Sequence, residues 1–229
     1  MGEPLADRAD QVEAVLEALD EAYPDATISL EFSNRLELLV AVVLSAQCTD
    51  ERVNQVTDDL FCKYETAADY ATADQDELAE DIGSITYFNQ KAGWIREACA
   101  RLVAEHDGEV PDSMDALTAL PGVGRKTANV VLQHGHDVVE GIVVDTHVMR
   151  LSRRLGLTER AGREAIERDL MSVVPRRRWT QFTHRLIAHG RAVCSARNPA
   201  CEECVVESWC PSSRLDAEVD LASGEPWGE

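Results

Sequence analysis

The sequence predicts an all-α protein. Apolar residues recur at three- and four-residue steps along most of the chain, and no strict apolar–polar alternation runs beyond four or five residues. With 229 residues, 25.3 kDa and 45% apolar composition, there is material for one or two domains with a filled core. Val12, Val15, Leu16 and Leu19 mark an amphipathic first helix that stops before Pro24. Leu36 to Ser45 is apolar nearly all round and reads as a central buried helix, after which Ala46-Gln47-Cys48-Thr49-Asp50 turns abruptly polar. Further helices are expected at about 51–62, 74–82, 88–106 with Gly108 as its stop, 112–119 and 125–134. Gly141-Ile142-Val143-Val144 reads as weakly extended. Helices follow over 146–155, over 159–173 with Thr158 as N-cap, and over 178–190, about ten in all. The last residues combine Ser, Gly, Pro and acid with little apolar content, and 215–229 reads as a disordered acidic tail.

Charge is lopsided. Forty-two Asp and Glu against 22 Lys and Arg give a net charge of -20 and a pI near 4.6. Residues 1–120 hold 7 basic and 27 acidic side chains, whereas 121–214 hold 15 and 10, so a polyanion partner is permitted on the second half. Nineteen of the basic residues are Arg and only Lys63, Lys91 and Lys126 are Lys. Scarce lysine, abundant acid and 5% aromatics together suggest a halophilic origin, where carboxylates keep a surface hydrated in molar salt, against the plainer reading of ordinary acidic bias. No apolar run reaches the roughly 18 to 20 residues that span a bilayer, and Met1 to Asp10 is acidic where a signal peptide is basic. These features predict a cytoplasmic protein with no membrane partner.

Seven cysteines is an odd number for a disulfide framework. Cys194, Cys201, Cys204 and Cys210 are separated by six, two and five residues in a loop-like segment rich in glutamate, a pattern for tetrahedral zinc or an iron–sulfur cluster. Cys48, Cys62 and Cys99 stand alone in or beside expected helices and read as core thiols.

Leu120-Pro121-Gly122-Val123-Gly124-Arg125-Lys126 joins two short helices through glycines that permit positive φ and a bare backbone approach. The unpaired first amides of the second helix and its positive dipole end suit a phosphate, although the pattern also fits a mere tight turn. Lys126 lies in the first turn of that helix. A chain that prefers Arg elsewhere has kept an amine here, and an amine can lose its proton and attack carbon; partial burial and the helix end are expected to lower its pKa. An incidental surface lysine is the plain alternative, of which Lys63 and Lys91 are examples. Val143-Val144-Asp145-Thr146-His147 places a carboxylate where the next helix begins, as an N-cap or as the negative partner of a cationic centre. His147 reads as structural.

These motifs resemble the endonuclease III group of helix-hairpin-helix DNA glycosylases. Similarity runs from about residue 10 to 212 and rests on Leu120 to Lys126, Val144 to His147 and the cysteine spacing. The resemblance implies a two-lobed fold. Residues 29–139 form a six-helix lobe carrying the hairpin; residues 1–28 and 140–214 form a second lobe around a [4Fe-4S] cluster, with the substrate cleft between them. It implies that Lys126 is the nucleophile, Asp145 the catalytic carboxylate, and Cys194, Cys201, Cys204 and Cys210 the cluster ligands. Gln47 matches the residue that fills the gap left by an extruded base, and Tyr87 and Phe88 fall where the family drives a wedge into the stack. Gly122, Val123, Gly124 and Arg125 match its backbone-gripping hairpin. A bulky Tyr87 and an acidic first half depart from the family's pattern.

The implied activity is bifunctional N-glycosylase and AP lyase action on oxidised pyrimidines in base excision repair. Lys126 forms a Schiff base and β-elimination follows. The substrate is double-stranded DNA with a damaged base or abasic site, met by a monomer at the nucleoid. Rival readings are a monofunctional glycosylase of the same superfamily and a non-catalytic DNA-binding module whose cluster senses redox state.

Overall fold

The computed structural model describes residues 5–215, with side chains from residue 10 onward. The expected acidic tail from 216 lies outside the described residues. Among the described residues there are eleven α-helices, three short 3-10 turns and no strand. The chain divides into two units, Ile28–Val143 and a second made of both flanks, Met1–Thr27 and Val144–Glu229.

The first unit holds α2 (Arg35–Leu44), α3 (Asp50–Lys63), α4 (Ala67–Thr72), α5 (Gln75–Asp81), α6 (Phe88–Glu105), α7 (Met114–Ala119) and α8 (Arg125–Gly135). Every residue of α2 from Leu38 to Leu44 is buried, as an all-round apolar helix requires. Helix α8 packs on it, and α6 packs against α4 and α5. The short α4 does not figure in the sequence expectations; Thr66 and Asp69 close a reciprocal capping box that starts it. Asn34, Thr49, Asp74 and Ser113 cap α2, α3, α5 and α7 through their side chains. Helices α6 and α8 are different: they begin at Tyr87 and Gly124 with no side-chain cap.

The second unit holds α1 (Leu5–Ala22), α9 (Thr146–Arg154), α10 (Arg163–Val173) and α11 (Trp179–Ala192), followed by the cysteine loop. Val12, Val15, Leu16 and Leu19 of α1 are fully buried, and α1 packs on α10 and α11. Asp20 of α1 holds both Arg178 and Arg185. At Gly190 an added Cβ would lie 2.8 Å from His147 Nδ1, so the residue lets α11 approach α9 closely.

Two of the sequence expectations fail. Helix α10 begins at Arg163 after Gly162, and Thr158 does not cap it. Thr158 instead lies buried, with its Oγ1 accepting from Arg160 N at 3.1 Å, a local turn that competes with an earlier helix start. Cys62 is exposed, its thiol directed at the Asp58 carbonyl, and Cys48 is half-buried, so only Cys99 of the three lone thiols is a core residue. Gly141 to Val144 forms no strand; its apolar side chains are buried as an irregular segment.

Candidate active site

The hairpin is built from Leu120 to Gly124. Val123 N donates to Leu120 O at 3.2 Å and closes a tight turn, with Gly122 at φ +75°. An added Cβ on Gly122 would also lie 3.1 Å from the Trp94 ring, so both backbone and packing demand glycine there. Gly124 differs from the sequence expectation. Its φ of -87° is open to any residue, but nothing lies within 4 Å of an added Cβ, so it leaves bare backbone facing open space. Val123 turns its side chain into the core and spends its N–H within the turn; it anchors the hairpin from inside.

Lys126 is exposed in the first turn of α8, where partial burial was expected. The core face of that helix is taken by Ala128, Val131 and Leu132, which leaves position 126 on the solvent side. Asp145 is the N-cap of α9, with Oδ1 accepting from Val148 N at 2.8 Å. The capping role read from the sequence therefore exists, and it leaves the second carboxylate oxygen out of the cap. His147 is part-buried with Nδ1 3.2 Å from Arg150 Nη2, and burial holds its pKa below the usual histidine value.

Gln47 and Tyr87 are both exposed and both adopt left-handed backbone, φ +56° and +59°, although neither is glycine. Such residues carry strain and concentrate at functional sites. Phe88 differs from Tyr87: it packs partly buried against the core, so Tyr87 alone of the pair projects, 57% exposed. Lys91, read from the sequence as a surface survivor, is buried at 1% exposure; its apolar stem lies within the core and its ammonium finds backbone carbonyls.

Cys194, Cys201, Cys204 and Cys210 line one pocket. Four thiols lining one pocket offer a ligand set for a cluster in which each cysteine ligates its own iron. Burial pushes the Cys204 thiol up to about 11, with the neighbouring thiols adding to the shift, so cluster binding displaces protons. Arg154, to which the sequence reading gave no role, donates to Cys194 Sγ at 3.2 Å and to the Ser195 and Ala196 carbonyls at 2.7 Å each. His189 Nε2 lies 3.3 Å from Cys204 Sγ. Only the long-range pairing of α9 and α11 with the loop identifies these two residues.

A glycine hairpin between two helices, together with a cysteine loop of this spacing, defines an all-α helix-hairpin-helix protein with an iron–sulfur segment. Residues 40–176 match the HhH-GPD superfamily of base excision DNA repair proteins, and residues 194–210 match the iron-sulfur binding domain of endonuclease III. Endonuclease III of Synechocystis is 49% identical over 210 residues, covering 92% of this chain and 96% of that protein. Endonuclease III of Escherichia coli K12 is 41% identical over 196 residues, covering 86% and 92%. Two solved structures, a non-covalent endonuclease III–DNA complex and a trapped endonuclease III–DNA covalent intermediate, each align with a TM-score of 0.86 at 43% identity, covering 90% of this chain and 96% of theirs. A thermostable thymine-DNA glycosylase shares the fold, with a TM-score of 0.77 at 23% identity. The chain belongs to the endonuclease III family, and a [4Fe-4S] cluster is the cofactor of its iron-sulfur binding segment, residues 194–210.

Proposed function

We propose that this chain is a bifunctional DNA glycosylase and AP lyase in which Lys126 is the nucleophile and Asp145 the catalytic carboxylate. The observation that carries the reading is an exposed amine in the first turn of α8, two residues after a glycine whose backbone faces open space. The amides that open this helix lack any side-chain cap, which supports their use on a DNA phosphate.

An enzyme acting on a base within a duplex must extrude it, at a cost of a few kcal/mol that is least for damaged, poorly stacked bases. Tyr87 and Gln47 enter the vacated stack. The neutral Lys126 amine attacks the sugar C1′; the C1′–N bond breaks and its electron pair leaves with the base, which takes up a proton. Asp145 stabilises the positive charge that develops at the sugar or takes the proton lost by the lysine. The resulting aminal opens as the C1′–O4′ bond breaks: O4′ takes up a proton and the lysine nitrogen's lone pair forms a protonated Schiff base, which makes the C2′ proton acidic. Its removal expels the 3′ phosphate by β-elimination, and water releases Lys126. The cluster, with all four cysteines as ligands, organises residues 194–210 and takes no part in the bond-breaking steps.

Oxidised pyrimidines in double-stranded DNA are the substrate class, and the enzyme acts as a monomer at the nucleoid. Its acidic surface, with 42 acidic against 22 basic residues and only three lysines, supports work in a salt-rich cytoplasm. There counterion release adds little affinity and uncharged hairpin, wedge and stacking contacts carry more of it. Nicking of duplexes bearing an oxidised pyrimidine, uracil or a mismatch, at low and high KCl, tests the reading. Cleavage is expected at the oxidised base and sustained in molar KCl; equal cleavage of undamaged duplex, or none anywhere, overturns it.

A further inference from the structure

Lys91 ties together two strained residues on separate segments. Its Nζ donates to the Leu44 carbonyl at 2.8 Å and to the Ala46 carbonyl at 2.6 Å. Leu44 is the last residue of α2, so the ammonium sits where a helix's unpaired carbonyls and negative dipole end favour a cation. Ala46 immediately precedes Gln47, and the same turn is closed by Cys48 N donating to Ser45 O at 3.1 Å. The peptide between Ala46 and the left-handed Gln47 is thus held from its carbonyl side. At its own backbone, Lys91 N donates to Tyr87 O at 3.0 Å, the first hydrogen bond of α6 and the only cap that the left-handed Tyr87 provides.

A buried cation is costly unless its donors are satisfied. A fold needing only to fill this space would use leucine or methionine, so the retained ammonium points to the geometry of its acceptors. Lysine suits the place better than arginine: a compact charge on a slim stem reaches two neighbouring carbonyls, whereas a planar fork needs more room. Burial opposes the charged form of Lys91, and the nearby Cys48 works the other way.

We propose that Lys91 is a positioning residue that locks the Gln47 turn to the start of α6, so that Gln47 and Tyr87 enter the DNA stack as one preformed unit. Lys91 itself touches no DNA. The inference rests on the reading of Gln47 and Tyr87 as stack-filling residues given under Proposed function. Its consequence is that extrusion needs no reordering of either residue, a cost that would otherwise fall on each binding event.

The test compares the holoenzyme and its Lys91→Met variant on two substrates: a duplex with a paired lesion, where a gap must be filled, and a single-stranded oligonucleotide with an abasic site, where none exists. Loss of positioning lowers single-turnover nicking of the duplex by about 10- to 100-fold while single-strand nicking stays within about threefold. In parallel, 2-aminopurine placed opposite the lesion reports a smaller flipped-state signal at saturating enzyme. A purely structural role would lower both activities in proportion to folded protein and leave their ratio unchanged, which would overturn the proposal. If Lys91→Met does not fold, Lys91→Gln, which keeps a shorter amide donor, is expected to show the same selective loss on the duplex; an unchanged ratio there also overturns it. Failure of the wild type to nick either substrate would instead refute the underlying functional reading.

Discussion

The Oδ1 atom of Asp145 accepts the Val148 amide at 2.8 Å and thereby starts α9. One side chain therefore serves both a cap and, in the proposed reaction, a charge. The two roles separate by substitution. Asn caps a helix as well as Asp does, so Asp145→Asn is expected to keep stability within about 0.5 kcal/mol while Asp145→Ala loses about 1 kcal/mol. Both should lower single-turnover excision by about 100-fold or more, because both remove the charge. Denaturant melts beside nicking assays check this; a fully active Asp145→Asn would confine Asp145 to capping.

The two hairpin glycines should behave differently. Gly122→Ala meets both a left-handed φ of +75° and the Trp94 ring, and should destabilise by about 1–3 kcal/mol. Gly124→Ala meets neither obstacle and should leave stability within about 0.5 kcal/mol. Its added methyl occupies the space assigned to DNA backbone, so DNA affinity should fall. Melts paired with a binding titration distinguish the two effects.

Burial holds His134 below the ordinary histidine value, with Asp137 opposing the shift. Burial also lowers His136, with Arg35 adding to the effect while Asp112 and a backbone hydrogen bond at Val110 oppose it. Both therefore bind a proton more weakly folded than unfolded. By linkage, stability is retained above the unfolded value of about 6.5 and is lost as pH falls from there through the folded values. Urea melts between pH 7.5 and 5.5 should show this decline, and a His134→Gln, His136→Gln double variant should make it shallower, with the likewise buried His147 and His189 leaving a remainder. An unchanged slope would assign the acid sensitivity to other groups.

Substituting Cys204→Ser removes one of the four proposed cluster ligands. Purified wild-type protein should be yellow-brown with about four irons per chain, and the variant should lose colour and iron together. One zinc per chain in a colourless wild type would contradict the cluster assignment. Arg154→Met should weaken retention of the cluster during chelator challenge, since Arg154 holds Cys194 Sγ and two loop carbonyls.

Much of the fold was legible because single helices write themselves into local sequence. The all-round apolar run of α2 and the three- and four-residue spacing in α1 specify buried faces without reference to partners. The six residues of α4 are too few for periodicity to register, although the Thr66 and Asp69 capping box was present to be read. The start of α10 is ambiguous in the sequence because a threonine before a charged run fits both a cap and a local turn, and burial of Thr158 decides for the turn. The candidate site divides in the same way. Hairpin, Asp145 and cysteine loop are contiguous motifs, whereas Lys91 acts on carbonyls 45 and 47 residues away and Arg154 on a loop some 40 residues on, distances that only tertiary packing closes.

The most direct test of the central claim is borohydride trapping on a duplex with an abasic site. Wild-type protein should become covalently linked to the DNA, with the adduct mapped to Lys126 by mass spectrometry. Lys126→Gln, at an exposed position where the fold is undisturbed, should form no adduct and lose strand nicking. An adduct at another residue, or full nicking by Lys126→Gln, would contradict the account.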